Sequence, residues 1–301
     1  MTKSWHIDTL LPAAEKFYRQ LEAHFKIEIY HPIPLLRYCQ NTDDAKRLGR
    51  RMRNPRYANV LGKYHPPASG HPALVDAQGS FEIKNAAYVD LPLCIQNLQQ
   101  HFNKSGQLID TTFDHSDLVK ATEGWSYQNI DARRIIFCEG IGIQKNPWFQ
   151  NLPLTPAKGE TLIIDAPGLE LPKTLYHHKK WLLPYGSQEY RVGATYDEAD
   201  LSPEPTAEGA QQLLDAVQDF LVEDTQLNIR QHLAGIRPST RDARPLLGTH
   251  PTEPRLHLFN GLGSKGTSLA PEMARLLIEH IYSDLPLSPE IDLNRFDSTC
   301  D

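Results

Sequence analysis

The stretch LHLFNGLGSKGTSLAPEMARLLIEHI, Leu256–Ile281, decides how this chain is to be read. An apolar strand runs into Gly261, Gly263 and Gly266 in G-x-G-x-x-G spacing, and an amphipathic helix follows. That order resembles a dinucleotide-binding turn, which normally opens a βαβ unit. Here the remaining residues, SDLPLSPEIDLNRFDSTCD, are broken by proline and charge and hold no second buried strand. On its own the motif reads first as an αβ turn whose glycines relieve strain.

Working outward, ARRIIFCEGIG carries a continuous apolar run, Ile135 to Cys138, ended by Gly140 and Gly142. Such a run predicts a parallel strand covered on both faces. GETLIIDAP, KWLLPY and YRVGATY read as a meander of antiparallel strands, and PTAEGAQQLLDAVQDFL as an amphipathic helix. IDTLLPAAEKFYRQLEAHF places an apolar stripe along a helix, whereas KIEIYHPIPLLRYC, cut by two prolines, predicts edge strands. FEIKNAAYVDLPLCIQNLQQHFNKSG reads as strand, helix and then a turn at Ser105 and Gly106. DDAKRLGRRMRNPRYANVLG starts as a helix, and its run of Arg and Lys reads as a solvated face. Helix-linked parallel strands alternate with hairpin-linked antiparallel ones, which predicts an α/β (α+β) fold of two interleaved domains.

The chain has 301 residues, 40% of them apolar and 23% charged, with a formal net charge of -6. These values fit a soluble globular protein, and the overall charge leaves no general basic footprint, so no nucleic-acid partner is expected from it. Cys39, Cys94, Cys138 and Cys300 lack C-x-x-C spacing, which points to neither a zinc site nor a disulfide framework. No apolar run reaches membrane-span length and MTKSWHIDTL lacks the layout of a signal peptide, so the expected location is cytoplasmic. His177, His178, Lys179 and Lys180 read as a solvated hairpin tip, since adjacent histidines are poorly spaced for a metal. No G-x-S-x-G elbow supports hydrolase chemistry.

AGIRPSTRDARPLLG followed by LHLFNGLGSKGTSLAPEMARLL resembles the closing segment of the FAD-dependent D-amino-acid oxidase and glycine oxidase family. Upstream, PAKGETLII, WLLPYG, RVGATYDEADLSPEPTAEGAQQLL and RRIIFCEGIG match that family's order and spacing. The likeness is to the glycine-oxidase-like branch, and the oxidase domain of the bifunctional enzyme that finishes a modified wobble uridine in tRNA is similar too. The resemblance implies FAD as cofactor and an incomplete Rossmann-like FAD-binding domain formed by residues 1–24, 80–150 and 231–301. An antiparallel-sheet substrate domain would take residues 25–79 and 151–230. Members of the family begin with a strand, a G-x-G-x-x-G turn and a helix that hold the FAD pyrophosphate. No such unit precedes Trp5. The chain is therefore expected to start late, through an internal methionine at Met1, a truncation, or a split enzyme with a separate dinucleotide-binding subunit, and to hold FAD weakly. A non-catalytic remnant acting as a binding or interaction protein is the rival expectation.

The resemblance also implies site residues. Gly261, Leu262, Gly263, Ser264, Lys265 and Gly266 would pass beneath the isoalloxazine together with the N-terminus of the helix beginning near Thr267, and Gly140 would join them at the cofactor. Arg237 matches the arginine that grips the substrate carboxylate, with Pro238 fixing the backbone there. Trp181 and Tyr196 match positions that wall the pocket, where glycine oxidases commonly show tyrosine and methionine. Ser264 stands where glycine oxidases carry a second arginine, so glycine itself is not singled out as the substrate. Asp242 and Arg244 are expected to brace the Arg237 turn. The implied partner is a small amine or amino acid whose C–N bond is oxidised by hydride transfer to the flavin; a homo-oligomer is a further expectation.

Overall fold

A computed structural model describes residues 5–299, so Cys300 and the question of Met1 lie outside the described residues. In chain order the elements are α1 (Ile7–Phe25), β1 (Tyr30–Pro32), β2 (Leu35–Tyr38), α2 (Thr42–Met52), β3 (Leu61–His65), β4 (Ser80–Ile83), β5 (Ala87–Val89), α3 (Leu91–Lys104), β6 (Leu118–Ala121), β7 (Gly124–Tyr127), β8 (Ile130–Ala132) and β9 (Ile135–Phe137). They continue as β10 (Ala157–Asp165), β11 (Leu175–His177), β12 (Trp181–Pro184), β13 (Glu189–Gly193), α4 (Ala207–Gln218), β14 (Asn228–Arg237), β15 (Leu246–Thr249), β16 (Leu256–Asn260) and α5 (Gly266–Ser283). The architecture is mixed α/β, and the chain forms two compact units, each assembled from alternating segments. The first takes the chain up to Asp8 with Tyr30–Val89 and Lys158–Gly235; the second takes Thr9–Ile29, Asp90–Ala157 and the chain from Ile236.

The first unit is built on a sheet in the order β14-β10-β13-β12-β11-β2-β4-β3, with β1 and β5 paired beside it in sequence as a two-stranded antiparallel sheet. Along β10 buried and half-buried positions alternate, as a strand with one face on a core requires. Leu162 and Ile164 meet Val192 and Tyr190 of β13 and the Leu213 and Val217 side of α4, with Phe220 just past the helix in the same cluster. The start of α4 is fixed chemically: Thr206 accepts the Gly209 amide at 3.0 Å and donates its hydroxyl to Glu160 at 2.8 Å. Glu160 is 4% exposed, and a Cβ at Gly209 would stand 2.5 Å from its carboxylate, so the glycine admits an anion against the helix N-terminus.

The second unit has β16 at the centre of a three-stranded sheet, antiparallel to β15 and parallel to β9. Leu269, Met273, Leu277 and Ile281 repeat every four residues on α5 and are all buried. A further core gathers Trp125, Phe137, Ile143, Phe149, Leu246 and Leu258. The meander β6–β7–β8 went unread in the sequence; its turns are marked by Gly124 at φ 157 and Gln128 at φ 52.

Several expectations are corrected. β2 is interior to its sheet, not an edge, because Pro32 and Pro34 fall outside Leu35–Tyr38 and remove no amide from its ladder. β9 is only three residues long, Ile136 is 38% exposed and Cys138 is exposed, so the run is not covered on both faces among the described residues. Residues 80–89, grouped in the sequence with the cofactor segments, pair instead with β1, β2 and β3 in the first unit. The tip 177–180 is not a solvated loop. His178 is buried and stacks on Phe220 with ring centroids 5.0 Å apart, His177 meets Arg37 at 3.2 Å, and Lys180 donates to the Ala194 carbonyl at 2.7 Å.

Candidate functional site

The glycine loop lies where two parallel strands, β9 and β16, end side by side. Asn260, the last residue of β16 and 3% exposed, ties their exits together. Its amide donates to the Gly140 carbonyl at 2.9 Å, and its oxygen accepts the Gly261 amide at 2.8 Å. Gly261 has φ 71, and a Cβ there would stand 2.9 Å from the Leu246 nitrogen; Gly263 has φ 54 and faces Ser239 Oγ at 3.1 Å. Gly261 is therefore held to glycine by conformation and by space, and Gly263 by its positive φ. Gly266, by contrast, has ordinary helical backbone and only 3.8 Å contacts. Ser264 and Lys265 are exposed, and Leu262 is half-buried. Lys265, the N-cap of α5, makes no side-chain cap, so the first amides of the 18-residue helix carry no capping side chain from it.

Against this loop lies the turn that begins at Arg237. The Gly263 amide donates to the Pro238 carbonyl at 3.2 Å, Ser239 donates to the Arg237 carbonyl at 2.9 Å, and Thr155 to the Ser239 carbonyl at 2.7 Å. A Cβ on Gly140, which has φ 55, would reach Pro238 at 3.9 Å. Arg237 itself is half-buried at the end of β14. Beyond it, Thr240 accepts the Arg244 amide at 3.0 Å and donates to Asp242 at 2.8 Å. Arg295 grips both Asp242 oxygens, at 2.9 and 3.2 Å, and Arg244 pairs with Glu290. Burial alone would raise the Asp242 pKa; the hydrogen bonds from Arg295 and Thr240 outweigh it and hold the carboxyl below its usual range.

Gly140 has a second support that the sequence did not announce. Glu139, just before it, receives His115 Nε2 at 2.7 Å on one oxygen and the Asn146 amide at 2.8 Å on the other, and Asn146 is fully buried. Asn260, Glu139 and Asn146 were missed because a lone polar residue at a strand end has no pattern. The structure thus brings Gly140, the Gly261–Gly266 loop and the Arg237 turn together in the second unit.

Trp181 and Tyr196 belong to the first unit. Trp181 on β12 pairs with Gly193 on β13, and its indole lies over that glycine: a Cβ there would fall 2.4 Å from Cζ2. Tyr196 is 59% exposed and sits beside the Lys158–Asp197 bridge, whose amides reach carbonyls at 2.7 and 3.0 Å. Lys158, 1% exposed, donates to Asp200 at 2.7 Å and to Ser202 at 3.0 Å, and its hydrogen bond draws the Asp200 pKa down to about 2. That buried cation fixes the loop on which Tyr196 stands.

Among the described residues no grouping of His, Cys, Asp or Glu could hold a metal ion, and no helix is long and apolar enough to cross a membrane. What the second unit offers is a close-packed glycine loop, with Gly261 and Gly263 at positive φ against Leu246 and Ser239, an adjoining Gly140, and a helix N-terminus beside them. A planar, electron-accepting ring such as that of FAD fits these donors.

Comparison with known proteins gives the same direction. The family described as "DAO: FAD dependent oxidoreductase" matches residues 6–280. The chain is similar to glycine oxidase of Bacillus subtilis, 30% identical over 155 residues, covering 50% of this chain and 41% of that protein. It is also similar to the tRNA 5-methylaminomethyl-2-thiouridine biosynthesis bifunctional protein MnmC of Marinobacter nauticus, 26% identical over 304 residues, covering 91% of this chain and 45% of that protein. The chain thus spans less than half the length of these curated relatives. Its fold is that of glycine oxidase from Geobacillus kaustophilus, with a TM-score of 0.81 at 21% identity over 100% of this chain and 85% of that one. Iminodiacetate oxidase from Chelativorans sp. BNC1 gives 0.77 at 20% identity, over 97% of this chain and 85% of that one. With the matched segment running from His6 to His280 across strand, glycine loop and helix alike, the chain belongs to the DAO family of FAD-dependent oxidoreductases.

Proposed function

We propose that this chain carries the reacting part of an enzyme that oxidises the C–N bond of an amino acid or secondary amine. The observation that carries the reading is the contact between the Arg237 turn and the glycine loop, fixed by the Gly263–Pro238 hydrogen bond and by the close approach of Gly263 to Ser239. It supports one site holding both a carboxylate and a cofactor ring. Glycine and iminodiacetate, named in two of the similar proteins, share an N–CH2–carboxylate unit, and the proposed substrate class is that unit on a carrier left open.

In this reading Arg237 holds the substrate carboxylate through two parallel, charge-assisted hydrogen bonds, which fixes the Cα–H direction. Pro238 restricts the backbone that aims it. The Gly261, Gly263 and Lys265 amides are already bonded within the chain, so the ring is left to the other amides of the loop and to the N-terminus of α5, which supplies about half a positive charge beside it. When bound, FAD supplies the acceptor for the hydride that leaves the substrate carbon. The amine enters neutral, so the chain needs no side-chain acid or base for the bond-breaking step. For Trp181 and Tyr196 of the first unit the proposed role is selection among substituents on the substrate nitrogen. The free thiols, with Cys39 and Cys94 buried, support a reducing, cytoplasmic setting.

The test is anaerobic mixing of the FAD-loaded polypeptide with a series of amines while the flavin visible band is followed. Glycine, N-methylglycine and iminodiacetate are expected to bleach it, and methylamine and dimethylamine are not. Bleaching that ignores the carboxylate, or none with any amine, would overturn the reading.

A further inference from the structure

One surface of the first unit is charged against the trend of the whole chain. Between Ala45 and Val75 stand seven lysines and arginines and not one acid, in a protein of net charge -6. Lys46, Arg50 and Arg53 follow i, i+4, i+7 spacing along α2 and border an open groove of about 630 Å³ whose other wall is Tyr64 and Phe81. The nearby acid Asp44 is already taken, by Arg47 at 2.5 Å and Arg37 at 3.4 Å. Among the described residues no carboxylate lies in ion-pair contact with Lys46, Arg50, Arg53 or Arg56. Like charges so placed destabilise an isolated helix. Arg50 and Arg51, in the last turn of α2, are also favoured there by the helix dipole, which leaves Lys46 and the mutual repulsion of the row unexplained.

Two further features point to what relieves that repulsion. Gly49 sits in the middle of α2 on the groove side, although a Cβ there would meet nothing within 4 Å. Glycine at such a position costs about 1 kcal/mol relative to alanine, and packing gives no reason for it; it leaves the helix surface open between the cations. On the opposite wall Tyr64, 37% exposed, leans on Phe81 with ring centroids 4.7 Å apart, a braced aromatic face turned partly to solvent.

We propose that the α2–β3 groove docks a nucleic-acid strand, with Lys46, Arg50 and Arg53 on successive phosphates and Tyr64 offering a face on which a base stacks. The cation row runs about 10 Å along the helix, longer than one phosphate group, and is mostly arginine, whose planar fork matches phosphate oxygens. A membrane surface fits less well, because Met52 is the one exposed large apolar side chain on α2 and gives no face to insert. The net charge of the chain conceals the site, since acids elsewhere outweigh a local excess.

Fluorescence anisotropy with a labelled oligouridylate of about fifteen nucleotides tests this on the intact chain and needs neither FAD nor amine, so its failure is separate from failure of the oxidase reading. With three to four phosphates neutralised, log affinity should fall with log salt at a slope of about -2 to -3. The triple variant Lys46→Gln, Arg50→Gln, Arg53→Gln should lose tenfold or more and flatten that slope, while Lys104→Gln with Lys145→Gln in the second unit should not. Gly49→Leu, which keeps every charge but fills the groove, should also weaken binding, with thermal melting confirming that each variant folds. No binding at low salt, unchanged binding by the triple variant, or capture by phosphatidylglycerol vesicles with none of the oligonucleotide, would each overturn the proposal.

Discussion

Gly261, Gly263 and Gly266 share one spacing but not one constraint, and the difference can be measured. Gly261→Ala and Gly263→Ala force an L side chain into positive φ against Leu246 and Ser239, so each should destabilise the fold by about 1–3 kcal/mol in urea unfolding. Gly266→Ala, in helical backbone with only ordinary contacts, should stay within about 0.5 kcal/mol of the parent. Equal losses at all three would show that spacing, and not conformation, governs the loop. Buried histidines give a second residue-scale prediction. Burial, helped by Arg134 and His280, holds the His257 pKa at about 4, and burial with Arg37 does the same to His177. The unfolded chain takes up those protons near pH 6.5 and the folded chain does not until about pH 4. Stability should therefore be full above pH 6.5, fall as pH drops toward 4, and level off below, by at most about 3 kcal/mol for each group. His257→Gln should flatten part of that slope; parallel Tm curves for parent and variant would contradict the assignment.

At the scale of elements, α5 shows how a proline is accommodated inside a helix that has to begin at the site. Pro271 has no amide to give the Thr267 carbonyl, and the hydroxyl of Tyr18 on α1 donates to that oxygen at 2.9 Å instead. Tyr18 is 5% exposed, and burial, with Cys94 adding to it, pushes its pKa up to about 12, so it stays a donor. Tyr18→Phe should cost about 1–3 kcal/mol by leaving the carbonyl unmet. Adding Pro271→Ala should recover much of it, because residue 271 regains an amide; strict additivity in the double-mutant cycle would refute the exchange. Much of this level was legible in the sequence. The loop Gly261–Gly266 and the meander around β10, β12 and β13 declared themselves by glycine spacing and by alternation. The 177–180 tip did not, because what buries it, Arg37 and Phe220, lies about forty or more residues away along the chain. Asn260 and Glu139 were equally silent: their importance comes from a strand pairing, Leu256 beside Ile135, that no local pattern encodes.

At the scale of the whole molecule, the two compact units are woven from alternating segments, and Arg237 stands two residues past the point where the chain leaves the first unit. The alternation of strand styles made the α/β character and the interleaving readable, while the boundaries moved because residues 80–89 are claimed by partners distant in sequence. Family membership fixes FAD chemistry for the group; which amine this chain serves is the proposal, and Arg237 is its hinge. The most direct measurement is the KM for a carboxylate-bearing amine against that for the same amine without the carboxylate, in parent, Arg237→Ala and Arg237→Lys, each loaded with FAD. Arg237→Ala is expected to lose about 2–5 kcal/mol in kcat/KM for the carboxylate substrate, lysine to recover part of it because a point charge lacks the paired hydrogen bonds, and the carboxylate-free amine and FAD binding to be unaffected. Loss of FAD, or an equal loss for both amines, would contradict the account and make Arg237 a structural residue.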